Sequence, residues 1–137
     1  IGIFRIAAEH HGTSYLISPS AESACYLGMT YSIDNEDSLA WQRKAIETNP
    51  HFGKAWNEIG EILMKRDEVQ NSINWFREAI ASKNYSKRSV AWTNLTRAQM
   101  ELNQDVSAFF TAQKASELYP EDKELEELLF YLSEGLV

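Results

Sequence analysis

The sequence predicts an all-α protein: an α-α superhelix of antiparallel helix pairs closed by a C-terminal capping helix. Three observations carry that prediction. Apolar residues recur at three- and four-residue spacing, as in Trp56, Ile59 and Leu63 or Ile73, Phe76, Ala79 and Ile80, which is one face of a helix. A self-similar unit returns every 34 residues on average, Gly28 to Gly60 being 32 and Gly60 to Thr96 being 36. The 137 residues contain only 6 Gly and 3 Pro, too few for a loop-rich sandwich, while 44% hydrophobic residues with 4 Trp, 6 Tyr and 6 Phe can build a core.

Residues 1–19 carry Ile3, Phe4, Ala7 and Ala8 and are expected to form an N-terminal helical segment, an incomplete preceding repeat that ends near Pro19. Residues 20–52 hold a first pair, Ala24-Cys25-Tyr26-Leu27-Gly28-Met29-Thr30-Tyr31 and then Ser38-Leu39-Ala40-Trp41 through Ala45, stopped at Asn49-Pro50 because Pro lacks the N–H a helix needs. Residues 53–88 repeat the pattern with Trp56 through Leu63, Ser72 through Ala79 and a stop at Lys83-Asn84. Residues 89–122 repeat it again with Trp92 through Gln99, Ala108 through Ala115 and a stop at Tyr119-Pro120. The joints Asp34-Asn35-Glu36-Asp37, Lys65-Arg66-Asp67-Glu68 and Leu102-Asn103-Gln104-Asp105 each offer an Asp or Asn as N-cap of the second helix, and joints this short force antiparallel pairs. Residues 123–137 place Leu125, Leu128, Leu129 and Leu132 on one stripe behind acids suited to a helix N-terminus, which predicts the capping helix.

Small residues at fixed places explain the stacking. Gly inside a helix costs about 1 kcal/mol relative to Ala, so Gly28 and Gly60 are expected where a neighbouring helix comes close. Ala45, Ala79 and Ala115 play that part on the second helices, and Trp56, Trp92 and Phe76 fill the remaining space.

With these residues the chain resembles the tetratricopeptide repeat family, a 34-residue helix-turn-helix with Trp, Leu-Gly, Tyr, Ala, Phe and Pro at set offsets. The closest copy runs from Ala55-Trp56-Asn57-Glu58-Ile59-Gly60 to Phe76, Ala79 and Asn84, with Ser72 for the middle Ala and no terminal Pro. The first copy has Leu27-Gly28, Tyr31, Ala45 and Pro50, with Ala24 in place of Trp. The third has Trp92, Leu95, Ala108, Ala115 and Pro120, with Thr96 in place of Gly and Ala112 where an aromatic is usual. The resemblance covers residues 20 to 122 and implies that the first helices line a concave groove that binds partners. Its candidate residues are Tyr26 and Met29, then Lys54, Asn57 and Glu61, then Thr93, Asn94 and Arg97. An Asn donates and accepts at once, which suits the backbone of an extended peptide, and Arg97 can grip a carboxylate. Family members that hold the acidic C-terminus of the large heat-shock chaperones use Lys and Asn on one first helix, Asn on the next, and Lys and Arg on a third. Asn94 matches the middle Asn, but Asn57 and Glu61 stand before it and Glu124 and Leu128 after it, so that clamp is not assembled.

Chemistry finds little support. The six glycines are too scattered for a phosphate loop, and zinc-ligand spacing and a Gly-flanked nucleophilic Ser are missing. Glu9-His10-His11 is the one dense set of metal-ligand types, and on a helix its imidazoles would diverge. Cys25 reads as a small packing residue and His51 as surface. The expectation is no enzyme, no metal and no cofactor. A net charge of -7 argues against a phosphate-binding surface, and no apolar run reaches a membrane span, so neither nucleic acid nor membrane insertion is expected. A lone cysteine forms no internal disulfide and fits a cytoplasmic, reducing setting in which Asn84-Tyr85-Ser86 and Asn94-Leu95-Thr96 stay unglycosylated. The chain starts at Ile1 without a basic-then-apolar leader and is expected to be a piece of something longer. The function expected is an adaptor, scaffold or co-chaperone-like module that receives a peptide or helix of another protein. The alternative is a structural segment of a larger scaffold or a self-associating homo-oligomer.

Overall fold

The computed structural model describes residues 6–10, 13–17 and 20–136, the first two stretches by backbone alone. Among the described residues seven helices follow one another: α1 Ala21–Gly28, α2 Glu36–Thr48, α3 Gly53–Lys65, α4 Val69–Ala81, α5 Arg88–Glu101, α6 Asp105–Leu118 and α7 Lys123–Gly135. Each packs on its sequence neighbours, α1 on α2, α3 on α4 and α5 on α6 within pairs, with α2 on α3, α4 on α5 and α6 on α7 between them. This is the expected α-α superhelix, with α7 closing it.

The expectation for residues 1–19 is corrected. Strands β1 Ile6–His10 and β2 Thr13–Ile17 pair antiparallel, with Ile6 opposite Ile17 and His10 opposite Thr13. The missed signal is a two-residue X-Gly spacer, His11-Gly12, beside a run rich in β-branched and aromatic residues, Thr13, Tyr15 and Ile17. Pro19 lies outside the described residues.

Small residues sit where large ones approach. A Cβ at Gly60 would lie 2.5 Å from Phe76 Cε1 on α4, and one at Gly28 would lie 2.7 Å from Gln42 Nε2 and 2.9 Å from Trp41 Cβ on α2. Phe76, Ala45, Ala79 and Ala115 are fully buried. Instead of one continuous core, the array holds separate clusters: Cys25 with Trp41 and Ala55, Leu39 with Ile59 and Ile62, Phe76 with Ile73 and Leu95, and Ala108 with Ala112 and Leu132. Trp56 and Trp92 are only half-buried. Trp56 donates its Nε1–H to Pro50 O at 2.8 Å and stacks on Trp75 with centroids 5.2 Å apart.

The joints differ from the N-cap expectation in two of three cases. Asn35 does cap α2, accepting from Asp37 N at 2.9 Å. Asp67 and Asn103 instead adopt left-handed backbone, φ 65° and 59°, as the residues that end α3 and α5. Glu68 N then reaches Leu63 O at 2.8 Å and Asp67 N reaches Met64 O at 3.0 Å, with the same pair of bonds from Gln104 and Asn103 to Gln99 and Met100. This double closure satisfies the last helical carbonyls, and Asp and Asn tolerate the conformation better than most residues. The first joint lacks it: α1 stops at Gly28, and residues 29–35 are held from outside by Arg66, which donates to Ile33 O and, at 3.2 Å, to Asn35 O. Asp122 caps α7, accepting from Leu125 N at 3.1 Å. No helix among the described residues is long and apolar enough to cross a membrane.

Candidate functional site

The first helices α1, α3, α5 and α7 are tied sideways, one to the next, by polar side chains. From α3 towards α1, Lys54 Nζ lies 5.7 Å from the centroid of the Tyr26 ring and 3.6 Å from Glu58 Oε1, one turn along its own helix. Between α3 and α5, Asn94 Nδ2 donates to both Asn57 Oδ1 and Glu61 Oε1 at 3.1 Å. Between α5 and α7, Arg97 Nη2 pairs with Glu124 Oε1. Helical spacing explains the alignment, because Lys54, Asn57, Glu58 and Glu61 recur every three or four residues, as do Asn94 and Arg97. Ala55, Ile59, Ala91 and Leu95 take the interleaved positions and are buried.

Six of the eight groove candidates, Tyr26, Lys54, Asn57, Glu61, Asn94 and Arg97, enter these ties. Asn57 is 3% exposed and is a buried crosslink between helices rather than a free contact. Thr93 is 5% exposed and its hydroxyl donates to Ser89 O at 3.0 Å, so it faces its own helix. Met29 is exposed, but it follows the last residue of α1 and its N–H closes that helix onto Cys25 O. Three participants had no signal in the repeat pattern. Glu58 hides beside Lys54, Glu124 arrives from α7, and Tyr85 comes from the loop between α4 and α5. Tyr85 packs over the start of α3, its Cβ 2.4 Å from where a side chain on Gly53 would begin, and it shares a cavity of about 230 Å³ with Tyr26, Phe52 and Lys54.

Neither a protein-family model nor a curated protein matches the chain. Among solved structures, the first TPR of Spaghetti (RPAP3) bound to the HSP90 peptide SRMEEVD superposes with a TM-score of 0.74 at 16% identity, covering 85% of this chain and 94% of that one. The TPR2B domain of yeast Sti1, in a complex with pHsp70, gives a TM-score of 0.70 at 19% identity, covering 84% of this chain and 97% of that one. The chain has the tetratricopeptide repeat fold.

Neighbouring carboxylates shape the electrostatics along the first helices of this tetratricopeptide array. Burial, and then the neighbouring Glu61, raise the Glu58 carboxyl above its ordinary 4.5. Burial, Glu61 and Glu58 likewise raise the Tyr85 phenol. Because the folded Glu58 value exceeds the unfolded one, the folded state holds more protons between them, and the cost of burying this charge returns as pH rises through that window. The variant Glu58→Gln is therefore expected to gain stability on the wild type as pH rises from 4.5 towards neutral, read as the difference in Tm between the two proteins at each pH.

Cys25 is fully buried in the tetratricopeptide array, where desolvation and then Glu58 push its thiol from 9.0 up to about 12. At about pH 8 its thiolate is roughly a thousandfold scarcer than that of an ordinary thiol. The folded protein should resist a thiol reagent that labels the denatured chain at once. Glu9 and His10 lie in β1, but the side chains of Glu9, His10 and His11 fall outside those described.

Proposed function

We propose that the chain is a protein-interaction module whose face of first helices receives an extended peptide or a helix from another protein, as an adaptor or co-chaperone-like assembly factor without chemistry of its own. The observation that carries this reading is the row of polar and aromatic groups along α1, α3, α5 and α7, with Tyr26 51% exposed and the Arg97 side chain 49% exposed. Pre-tied groups of this kind lose little freedom on binding. Two of the structures with the same fold are complexes, one with an HSP90 peptide and one with pHsp70, which supports a peptide as ligand. The ligand differs in charge from the SRMEEVD peptide: Glu58, Glu61 and Glu124 would repel a carboxylate-rich tail, and Arg97 is already paired with Glu124.

Affinity capture with the full-length protein tests the reading, using Tyr26→Ala with Arg97→Ala as the control. A micromolar contact is about -8 kcal/mol, and each lost hydrogen bond to a charged group removes about 1.5–3 kcal/mol, so the double variant should release the partner while melting like the wild type. Capture that survives the double variant, alongside a changed assembly size, would favour the scaffold reading instead.

A further inference from the structure

Helix α7 turns an aromatic face outwards. Gly60 stands ten residues after Pro50, and the residue ten after Pro120 is Phe130. At Gly60, α4 brings its Phe76 ring into the space a side chain would fill. A phenyl group at the equivalent place leaves no room for a helix at that distance, and Phe130 and Tyr131 are each 67% exposed. The outer face of α7 is therefore not shaped to receive a hairpin partner in the way α3 receives α4. Glu127 and Glu134 flank the two rings at helical spacing, and neither meets a cation among the described residues.

Between α4 and α6, across α5, lies a cavity of about 330 Å³ with Ile80, Trp92 and Leu95 at its base and Phe110 on one wall. Its volume falls within the range of sites that take a small organic group. Arg77 and Lys114 line the same cavity, both exposed and both without a partner among the described residues. One surface is aromatic and acidic; the other is an apolar slot with basic edges.

We infer that these two surfaces are made for each other in different molecules: Phe130 and Tyr131 of one copy enter the α4–α6 groove of a second copy, with Glu127 and Glu134 reaching its Arg77 and Lys114. Charge complementarity selects this occupant, since the chain's net charge of -7 otherwise sets copies against each other. Aromatic side chains at the centre with charges around them are the usual anchors of such contacts. The docking takes up the α7 end of the face of first helices, where Tyr131 lies two turns along from Glu124, and leaves Tyr26 and Arg97 out of the contact, so the two readings are separated by variants at those residues.

Sedimentation velocity on the whole chain across a concentration series tests the inference. The wild type should associate, and Phe130→Ser with Tyr131→Ser should weaken association about thirtyfold or more, as loss of a hot spot does. Arg77→Glu with Lys114→Glu should do the same from the other side. Mixing the two double variants should restore a 1:1 complex, because the first retains a groove and the second retains the aromatic face. Adding Glu127→Lys and Glu134→Lys to the groove variant should also restore association, which separates a lost contact from a lost fold. A wild type that stays monomeric at about 1 mM, a mixture that stays monomeric, or an α7 variant that associates like the wild type would each overturn the inference. A peptide-face variant, Tyr26→Ala with Arg97→Ala, should associate normally.

Discussion

Phe76→Ala is expected to cost about 3–5 kcal/mol of stability, among the largest effects a single side chain here can have. Phe76 is fully exposed to packing and not at all to water: it is 0% accessible, clusters with Val69, Ile73, Leu95 and Ala98, and fills the space that Gly60 leaves open. Truncation removes the ring from a site that two helices define, and the backbone of α3 cannot sink far enough to close it. Thermal unfolding should show a Tm lower by about 10–20 °C. The same contact makes a second change reverse its sign. Gly60→Ala alone should destabilise by about 1–3 kcal/mol, because its Cβ meets a ring that cannot move. In the Phe76→Ala background there is room, and the better helix propensity of Ala, about 1 kcal/mol, should show as a gain. The double-mutant cycle measures this coupling directly.

Arg66→Ala should be the next most costly change, at about 1.5–3 kcal/mol for hydrogen bonds lost from a charged group. Its side chain is 14% exposed and its guanidinium serves Ile33 O, Asn35 O and Ser38 Oγ. The ion pair with Glu36, 3.9 Å away and 87% exposed on the carboxylate side, adds little, so Glu36→Gln should be close to neutral. Helix α1 has 8 residues, too few to stand alone, and its joint to α2 lacks the left-handed closure found in the other two. Loss should therefore concentrate at one end. Hydrogen exchange should quicken in α1 and α2 and stay unchanged in α5 to α7. Arg66→Lys should not restore protection, because lysine lacks the planar fork that reaches several carbonyls.

The pairing of helices was legible because size and spacing both encode it: Gly28 and Gly60 face large neighbours, and the apolar residues of each segment share one side. The joints were less legible. Asp and Asn serve equally well as N-caps and as left-handed terminators, so Asp67 and Asn103 could not be assigned from residue type, and the close chain reversal decided between the two roles. The strands over 6–10 and 13–17 are not legible in the sequence, because a few apolar residues fit either period over so short a stretch. In the candidate site, spacing along one helix sets Lys54, Asn57 and Glu61 on one side of α3, where Lys54 turns to Tyr26 and Glu58 while Asn57 and Glu61 meet Asn94. What it could not show was depth, which buries Asn57, or partners from other elements such as Tyr85 and Glu124, because those depend on how far helices approach.

The subdivision of the core into small clusters bears on how the chain reaches this state. The hydrogen bonds that join one hairpin to the next, Arg66 to Ile33 and Asn94 to Asn57, bridge 33 and 37 positions, about one hairpin's worth of chain. The loop-closure entropy of each such step is correspondingly small, so the α3–α4 or α5–α6 hairpin can nucleate first and the α1–α2 hairpin, whose joint Arg66 holds, joins afterwards. Assembly then proceeds by extension from a local seed, a route with low contact order and a correspondingly short search.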